Sequence, residues 1–416
     1  MSKVTLKEIA DIQTGPFGTQ LHKSEYVPQG IMMLNAKNIG KGEILTDSVD
    51  FVSEEVCERL PKYVLKEGDI LFGRAGSIEK HTYVSGEYEG SFQGTNCIRI
   101  RCKSAELSKY IAYYLWLPQV KRTIENNTGG SIQSYISSDR LKDIVVDIPD
   151  ERTIHSTVKI LSTIDSKIQN NNKVNDNLQQ QAALLYDYWF TQFDFPDANG
   201  NPYKASGGLM VRDKLLKHEI PVGWTVKSLI NNPLVTILKP GVDVFDRKTY
   251  LATAEVNGTS ITTGNIVEYA TRESRANMQP TVNSVWFAKM KNSIKHLFLN
   301  EEMLPLINSS ILSTGFCGLQ CTEKSFEYIS SFIGYSYFET IKNTLAHGAT
   351  QEAVNNKDLD GIFMVIPDDK TLSLYHEATK CIYAKISKNM CENQELVRLK
   401  DWLLPMLMNG QVTVTD

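Results

Sequence analysis

The sequence predicts an α+β fold in which two globular α/β domains are separated by two long helices, packed as an antiparallel coiled coil with a pseudo-twofold repeat. Two observations lead to this fold class. Blocks of sequence recur in one order at an offset of about 218 residues, and each copy ends in a long helical pattern with heptad spacing. The expected segments are a first domain, a first helix, a linker, a second domain and a second helix, at 1–150, 151–192, 193–222, 223–367 and 368–412.

The internal repeat is clearest around the tripeptide Ile-Pro-Asp. IVVDIPDERTIHSTVKILSTIDSKIQNNNK (144–173) matches IFMVIPDDKTLSLYHEATKCIYAKISKNMC (362–391). Four more blocks keep the order, at 68–84 with 283–299, 107–116 with 326–338, 128–144 with 347–362, and 3–15 with 223–235. Chance similarity of strand and helix patterns does not produce five blocks in one order. The upstream blocks are the more diverged, which suggests one scaffold with two different working surfaces.

The two long helices show the apolar 3.5-residue period of a coiled coil. Each seam carries two central asparagines, Asn171 with Asn175 and Asn389 with Asn393. Seam asparagines fix register at a cost in stability. Antiparallel packing would bring the two pairs together, and the alternative is a solvated stripe. The predicted helix-pairing residues are Leu161, Ile164, Ile168, Asn171, Asn175, Leu178, Ile382, Ile386, Asn389, Asn393 and Leu396.

Composition excludes several classes of protein. The net charge of −4 and pI near 6.0 argue against a non-specific nucleic-acid coat, although a specific DNA reader needs only a local basic face. The seven cysteines form no C-x-x-C pair, so we expect no metal site and a reducing compartment. The chain shows no signal-peptide pattern and no apolar run of membrane-spanning length. We therefore expect a cytoplasmic protein.

Motifs for catalysis are missing from the sequence. It contains no G-x-x-x-x-G-K-[ST] nucleotide loop and no methyl-donor loop of the F-x-G-x-G type. A nuclease built on Asp69, Glu79 and Lys80 is unfavourable, because adjacent residues point apart on a strand. Asp150 and Asp368 suit helix N-termini instead. We expect no catalytic residues in this chain, and a core or surface role for His81 and His296, which fall near corresponding positions of the repeat.

Short polar and basic segments between β-like runs are candidate DNA contacts. An arginine can bridge guanine O6 and N7, glutamine suits adenine, and hydroxyl groups suit phosphate. The alternative is that these segments are solvated turns. The second half also carries a local basic run that includes Lys289. The predicted DNA-binding residues are Arg74, Ser77, Lys80, Thr128, Ser131, Gln133, Ser134, Tyr135, Arg272, Arg275, Lys291, Lys295, His347, Thr350 and Gln351.

Four motifs resemble the specificity subunits of type I restriction–modification systems. They are GDILFGRAGSI, TGGSIQSYISSDRLKDIVVDIPD, ILSTIDSKIQNNN and the spacer PYKASGGLMV…EIPVGW, and LVRLKDWLLPMLMNGQV (396–412) is also similar. The resemblance covers essentially the whole chain. The sequence departs from the family at the helix starts, where Asp150-Glu151 and Asp368-Asp369 follow the prolines, and in the second domain, where NSVWF and AKMKNSI replace GDILF and the Gly-rich loop.

The resemblance implies a function for each part. The globular domains would be target-recognition domains that read the halves of a split, asymmetric DNA site. The helices would set the spacer and dock two methyltransferase subunits, which bind S-adenosylmethionine and methylate adenine. A motor–nuclease subunit would cleave unmodified DNA with ATP and Mg. No cofactor is expected in this chain itself. The alternatives are a methylation-only defence system, a coiled-coil scaffold that binds only proteins, and a chain that is itself a nuclease.

Overall fold

A computed structural model of the chain describes residues 2–46, 48–74, 80–126, 136–262 and 264–412. The chain divides into two compact units. Unit 1 comprises Met1–Asp165 and Arg398–Asp416, and unit 2 comprises Ser166–Val397. None of the described helices is long and apolar enough to cross a membrane.

The first globular domain lies in unit 1 and mixes short strands with helices. Its strands are β1 (Ser2–Thr5), β2 (Ala10–Thr14), β3 (Tyr26–Val27), β4 (Ile31–Leu34), β5 (Asp50–Val52), β6 (Ile70–Gly73), β7 (His81–Tyr83), β8 (Phe92–Gln93), β9 (Cys97–Cys102) and β10 (Val145–Ile148). Its helices are α1 (Leu6–Ile9), α2 (Glu54–Arg59), α3 (Ala105–Tyr114), α4 (Pro118–Asn126), α5 (Ser138–Lys142) and the start of α6 (Glu151–Tyr186). The strands form the sheets β2-β9-β6-β7 and β3-β5-β4-β8, and β1 pairs with β10.

The second globular domain lies in unit 2. It follows a hairpin of β11 (Met210–Arg212) and β12 (Glu219–Pro221). Its strands are β13 (Thr225–Ser228), β14 (Val235–Ile237), β15 (Arg247–Leu251), β16 (Val256–Asn257), β17 (Ser260–Ile261), β18 (Asn265–Glu268), β19 (Ala276–Met278), β20 (Ser284–Ala288), β21 (His296–Leu299), β22 (Ser310–Ser313), β23 (Phe316–Cys321) and β24 (Phe363–Ile366). Its helices are α7 (Leu304–Ser309), α8 (Phe326–Gly334), α9 (Ser336–Leu345) and α10 (Asp369–Met408).

The two domains share one topology, which confirms the predicted repeat. The sheet β14-β23-β20-β21 repeats the order of β2-β9-β6-β7, and β13 pairs with β24 as β1 pairs with β10. In the other sheet of each domain a parallel pair recurs, β4 with β8 and β15 with β22. Every residue of strand β6 and of strand β20 is buried. The apolar pattern that both copies share therefore places the corresponding strand in the core of each domain.

The two long helices begin in the same way. Asp150 accepts a hydrogen bond from the Thr153 backbone N at 3.0 Å, and Asp368 accepts one from the Thr371 backbone N at 2.9 Å. Each carboxylate thereby satisfies a free N–H of the first helical turn. These bonds lower the pKa of both carboxyls, although burial acts in the opposite direction and is the largest influence on Asp368. The expected helix-start role of both aspartates is confirmed.

A histidine–glutamate pair joins each long helix to its own domain, although the two pairs lie at different positions of the repeat. His155 Nδ1 lies 2.7 Å from Glu106 in unit 1, and His376 Nδ1 lies 2.7 Å from Glu327 in unit 2. Each pair joins the second or third turn of a long helix to the first turn of the domain helix, α3 or α8. In each unit the long helix is therefore linked to a helix of its own domain by the same two residue types.

Helices α6 and α10 pack antiparallel within unit 2, as the seam asparagines predicted. Asn389 Nδ2 donates to Asn175 Oδ1 at 2.8 Å, and Asn171 Nδ2 donates to Asn393 Oδ1 at 2.9 Å. Asn171, Asn175 and Asn389 are buried, so the solvated-stripe alternative is wrong for these three. Because later residues of α6 meet earlier residues of α10, the two chain directions are opposed.

A cluster of aromatic side chains follows α6. After a π-helical turn at Asp187–Thr191, Phe193 takes a positive φ of 64°, and Phe195 stacks on Trp224 with ring centroids 4.8 Å apart. Edge-to-face and stacked ring pairs add to the burial of apolar area. The segment between the first helix and the second domain is therefore anchored by packing.

Candidate nucleic-acid interface

In the first domain, Arg74 directly follows the buried strand β6. Its backbone N donates to Asn96 O at 2.9 Å, and its backbone O accepts a hydrogen bond from Ile136 N at 3.1 Å. The second bond joins Arg74 to Ile136, the residue that follows the predicted segment 128–135 in the sequence.

The Arg74 guanidinium is held against an aromatic ring. Its Cζ lies 4.5 Å from the centroid of Phe17, and Phe17 is 47% exposed. Partial burial lowers the pKa of Arg74, but a guanidinium stays charged at neutral pH. Stacking on Phe17 restricts the directions in which the charged group can point. The sequence pattern gave no signal that Phe17 would meet Arg74.

The other predicted residues of this domain divide into two groups. Lys80 is half-buried just before β7. Ser77, Thr128, Ser131, Gln133, Ser134 and Tyr135 lie outside the described residues. Asp69, considered above as a nuclease carboxylate, is fully buried and accepts hydrogen bonds from Arg101 Nε and Nη2, each at 2.6 Å. This geometry gives Asp69 a structural role.

In the second domain, the β20–β21 hairpin meets the segment around His347. Lys291 backbone N donates to Glu352 O at 2.9 Å, and Val354 N donates to Lys289 O at 3.0 Å. The Lys291 ammonium pairs with the Glu352 carboxylate at 2.8 Å. The structure therefore brings Lys291 beside the segment that carries His347, Thr350 and Gln351.

The segment 347–351 is exposed to solvent throughout. His347 Nδ1 lies 3.5 Å from Asp358 Oδ2, and Asn355 Nδ2 lies 3.2 Å from His347 Nε2. Thr350 and Gln351 follow Gly348, whose φ of 141° is in a region that side chains rarely allow. Exposed hydroxyl and amide groups on such a turn can reach a duplex placed against it.

The predicted basic residues of this domain do not all gather at that place. Arg275 O accepts a hydrogen bond from Thr314 N at 2.9 Å, which sets Arg275 close to Lys289, since Lys289 Nζ donates to Thr314 O at 3.1 Å. Lys295 turns away and donates to Thr253 O at 2.5 Å. Arg272 stacks over Tyr269 at 3.9 Å.

Arg272 also donates to two backbone carbonyl oxygens, Tyr269 O at 2.5 Å and Ala276 O at 3.2 Å. These contacts bind its guanidinium within the domain. Arg275, by contrast, is exposed. The structure therefore brings Arg275, Lys289 and Lys291 together with the segment 347–351. The side chains of Arg272 and Lys295 instead contact backbone carbonyl oxygens of the domain.

The two histidines at corresponding positions lie in the cores. His81 Nε2 lies 2.8 Å from Ala112 O, and its ring stacks on Trp116 with centroids 4.2 Å apart. His296 Nε2 lies 2.9 Å from Glu339 Oε1, and Lys342 donates to the same oxygen at 2.9 Å. Both histidines are buried, which agrees with the core role considered from the sequence.

The predicted helix-pairing residues are buried or half-buried along the two long helices. Leu161 packs in the unit 1 core with Leu404, and Ile382 packs against the unit 2 core. The remaining apolar members are buried or half-buried: Ile164, Ile168, Leu178, Ile386 and Leu396. Among the asparagines, Asn393 is half-buried and also donates to Asn172 Oδ1 at 2.8 Å.

The chain is similar to known proteins over nearly its whole length. Residues 1–180 match the family described as type I restriction modification DNA specificity domain. The chain is 24% identical over 332 residues to the type I restriction enzyme MjaIX specificity subunit of Methanocaldococcus jannaschii, covering 76% of this chain and 71% of that protein. It is 20% identical over 444 residues to the HindI specificity subunit of Haemophilus influenzae, covering 91% and 94%.

The fold is also similar to a solved structure. The S subunit of a type I restriction–modification system from M. genitalium aligns with a TM-score of 0.52 at 14% identity, covering 98% of this chain and 95% of that one. At this identity the likeness concerns the fold. The repeated domains, the paired helices and the sequence matches together make the chain similar to type I restriction–modification specificity subunits, and residues 1–180 match the model of their DNA specificity domain.

Proposed function

We propose that this chain is the non-catalytic DNA-reading subunit of a type I restriction–modification complex. Each globular domain would read one half of a bipartite, asymmetric target. The observation that carries the proposal is one domain topology built twice with different residues at corresponding loops: the Gly-rich segment after β6, and the lysine-bearing hairpin after β20. Different side chains on one frame would select different bases, so the two half-sites would differ.

The reaction chemistry would belong to partner subunits. Two methyltransferase subunits would bind S-adenosylmethionine and methylate adenine, and motor–nuclease subunits would use ATP and Mg. This chain would bind double-stranded DNA and no cofactor of its own, and the complex would act in the cytoplasm. The repeat supports two copies of one methyltransferase, because the two long helices carry equivalent positions.

A methylation-only system is the second candidate, because this chain's features concern reading and pairing and do not depend on a nuclease. A protein-binding scaffold is the third. The scaffold would leave no sequence-dependent footprint on DNA when purified with its methyltransferase. A methylation-only system would leave the footprint but would restrict no unmodified DNA in cells.

The proposal is tested by genome-wide mapping of adenine methylation in cells that carry this chain and its methyltransferase. We expect a motif of two specific parts separated by a spacer of fixed length. Exchange of residues 1–150 for the first domain of a relative should change one part and leave the other unchanged. Absence of any motif that depends on this chain, or a change in both parts, would contradict the proposal.

A further inference from the structure

The residues Arg74 and Lys289 occupy one position of the repeated fold. Arg74 N donates to Asn96 O at 2.9 Å, and Lys289 N donates to Gly315 O at 3.0 Å. Arg74 O accepts from Ile136 N at 3.1 Å, and Lys289 O accepts from Val354 N at 3.0 Å. The same two backbone bonds, to corresponding segments, therefore fix this position in each domain.

The strands beneath this position share one register. Phe72 faces His81 across the β6–β7 pair, and Phe287 faces His296 across the β20–β21 pair. Arg74 and Lys289 each lie two residues beyond the phenylalanine. Both phenylalanines are fully buried, so a shift of register would expose a core side chain and is strongly disfavoured. The core thus places both cationic residues identically within their own domains.

The two cations differ in chemistry and in contacts. Arg74 carries a planar guanidinium stacked on Phe17. Lys289 carries an ammonium that donates to Thr314 O at 3.1 Å, and it has no carboxylate partner among the described residues. Lys291, two residues further on, has its charge offset by Glu352. A carbonyl contact orients the Lys289 ammonium without cancelling its charge.

We propose that Arg74 and Lys289 are equivalent reading positions, each of which helps to set the base preference of its own half-site. This inference rests on the proposed function. A guanidinium can donate two parallel hydrogen bonds to guanine, whereas an ammonium acts as a point charge with freely rotating donors. The same backbone position with different cations therefore contributes to the difference between the two halves of the target.

The test is adenine-methylation mapping with Arg74→Ala, Arg74→Lys, Lys289→Ala and Lys289→Arg in the full chain with its methyltransferase. Both alanine variants should relax base preference in one half of the motif, a different half for each. Methylation of the preferred site should fall between about fivefold and a hundredfold, as expected for the loss of one base contact. The charge-preserving exchanges should alter which base is preferred at the same position.

The matched control is Lys370→Ala, an exposed lysine near the start of α10, which should leave the motif unchanged. Thermal melting of every variant separates a folding defect from a reading defect. If both alanine variants melt normally and leave base preference unchanged, the inference is wrong. A uniform loss across all sequences, with a shallower salt dependence, would show phosphate contact only and would also overturn it. If the unmodified chain directs no bipartite motif, the proposed function fails instead.

Discussion

At the scale of single residues, the partner of each cation decides what it can do. The side chains of Arg272 and Lys295 donate hydrogen bonds to backbone carbonyl oxygens of their own domain. Lys291 forms an ion pair with Glu352. Arg275 is exposed. In the linear sequence these four residues look alike, since each is a positive charge in a basic run. Under the proposed function, contact with DNA is therefore more favourable for Arg275 than for Arg272, whose internal hydrogen bonds would have to be broken first.

Two exposed apolar residues lie at equivalent positions of the long helices. By the alignment of the two Ile-Pro-Asp segments, Leu184 on α6 corresponds to Trp402 on α10. Leu184 is 71% exposed and Trp402 is 60% exposed. Their neighbours Tyr186 and Leu404, again at equivalent positions, are buried. Each helix therefore buries one face and presents a large apolar side chain on another.

We expect Trp402→Ala to weaken the binding of one methyltransferase copy, and Leu184→Ala to weaken the binding of the other. Loss of a central tryptophan contact commonly costs about 2 kcal/mol or more, about thirtyfold in affinity. The measurement is the mass of the complex purified with its methyltransferase, which should fall from two copies toward one. The control is Val244→Ala, which removes an apolar side chain that is even more exposed, at 80%, from a loop. Two retained copies in the double variant would contradict the expectation.

At the scale of elements, the helix pair combines an apolar seam with a polar ladder. The ladder runs from Asn175 and Asn389, both buried, to Asn171 and Asn393. Lys167 extends it by pairing with Glu392 at 3.2 Å. Buried amide pairs give little net stability, but a shift of register would leave them unsatisfied. The ladder therefore specifies which residues of α6 face which residues of α10.

We expect Asn389→Leu to lower the free energy of unfolding by about 1–3 kcal/mol, because the buried Asn175 Oδ1 would lose the donor that Asn389 Nδ2 supplies. The double variant Asn175→Leu with Asn389→Leu should recover most of that loss, since two apolar side chains suit the seam. Urea unfolding of the wild type, both single variants and the double variant gives the coupling energy. Additive effects of the two substitutions would show that the amides are not coupled.

At the scale of the whole molecule, the length of the paired helices should set the spacer of the DNA target. Both α6 and α10 have residues in each unit. Asn171 pairs with Asn393 and Asn175 pairs with Asn389, and these pairs show which segments of the two helices face each other. Residues 168–174 of α6 lie opposite residues 390–396 of α10. Each spans one heptad, so its removal keeps the apolar seam on the same face.

We expect the double deletion of 168–174 and 390–396 to shorten the preferred spacer by about three base pairs. Seven residues at about 1.5 Å each remove about 10 Å of helix, and a base pair spans about 3.4 Å. Methylation mapping gives the spacer directly. Deletion of 168–174 alone is the control, since Asn393 then loses its partner and no bipartite motif should remain. A double-deletion variant with an unchanged spacer would show that the helices do not measure it.

The sequence by itself determined the architecture. Heptad spacing defined the two helices, and the seam asparagines indicated their antiparallel packing. The repeated blocks paired β6 with β20 and α3 with α8. These features depend on local periodicity and on side chains that occur twice, so they can be read along the chain. The helix-start role of Asp150 and Asp368 followed for the same reason, because a cap acts within its own first turn.

Only the tertiary structure decided which candidate residues share a place. Arg74 meets Phe17 and Ile136, and Lys289 meets Thr314 and Val354, across separations that carry no periodic signal. The hydrogen bonds from Arg272 and Lys295 to carbonyl oxygens could not be predicted from the sequence either. They depend on where the loops of the domain fold back. Long-range contacts are set by the packing of the whole domain and not by neighbours along the chain. The repeat, including the alignment of Arg74 with Lys289, could therefore be predicted from the sequence, whereas the contacts that hold these two residues were visible only in the tertiary structure.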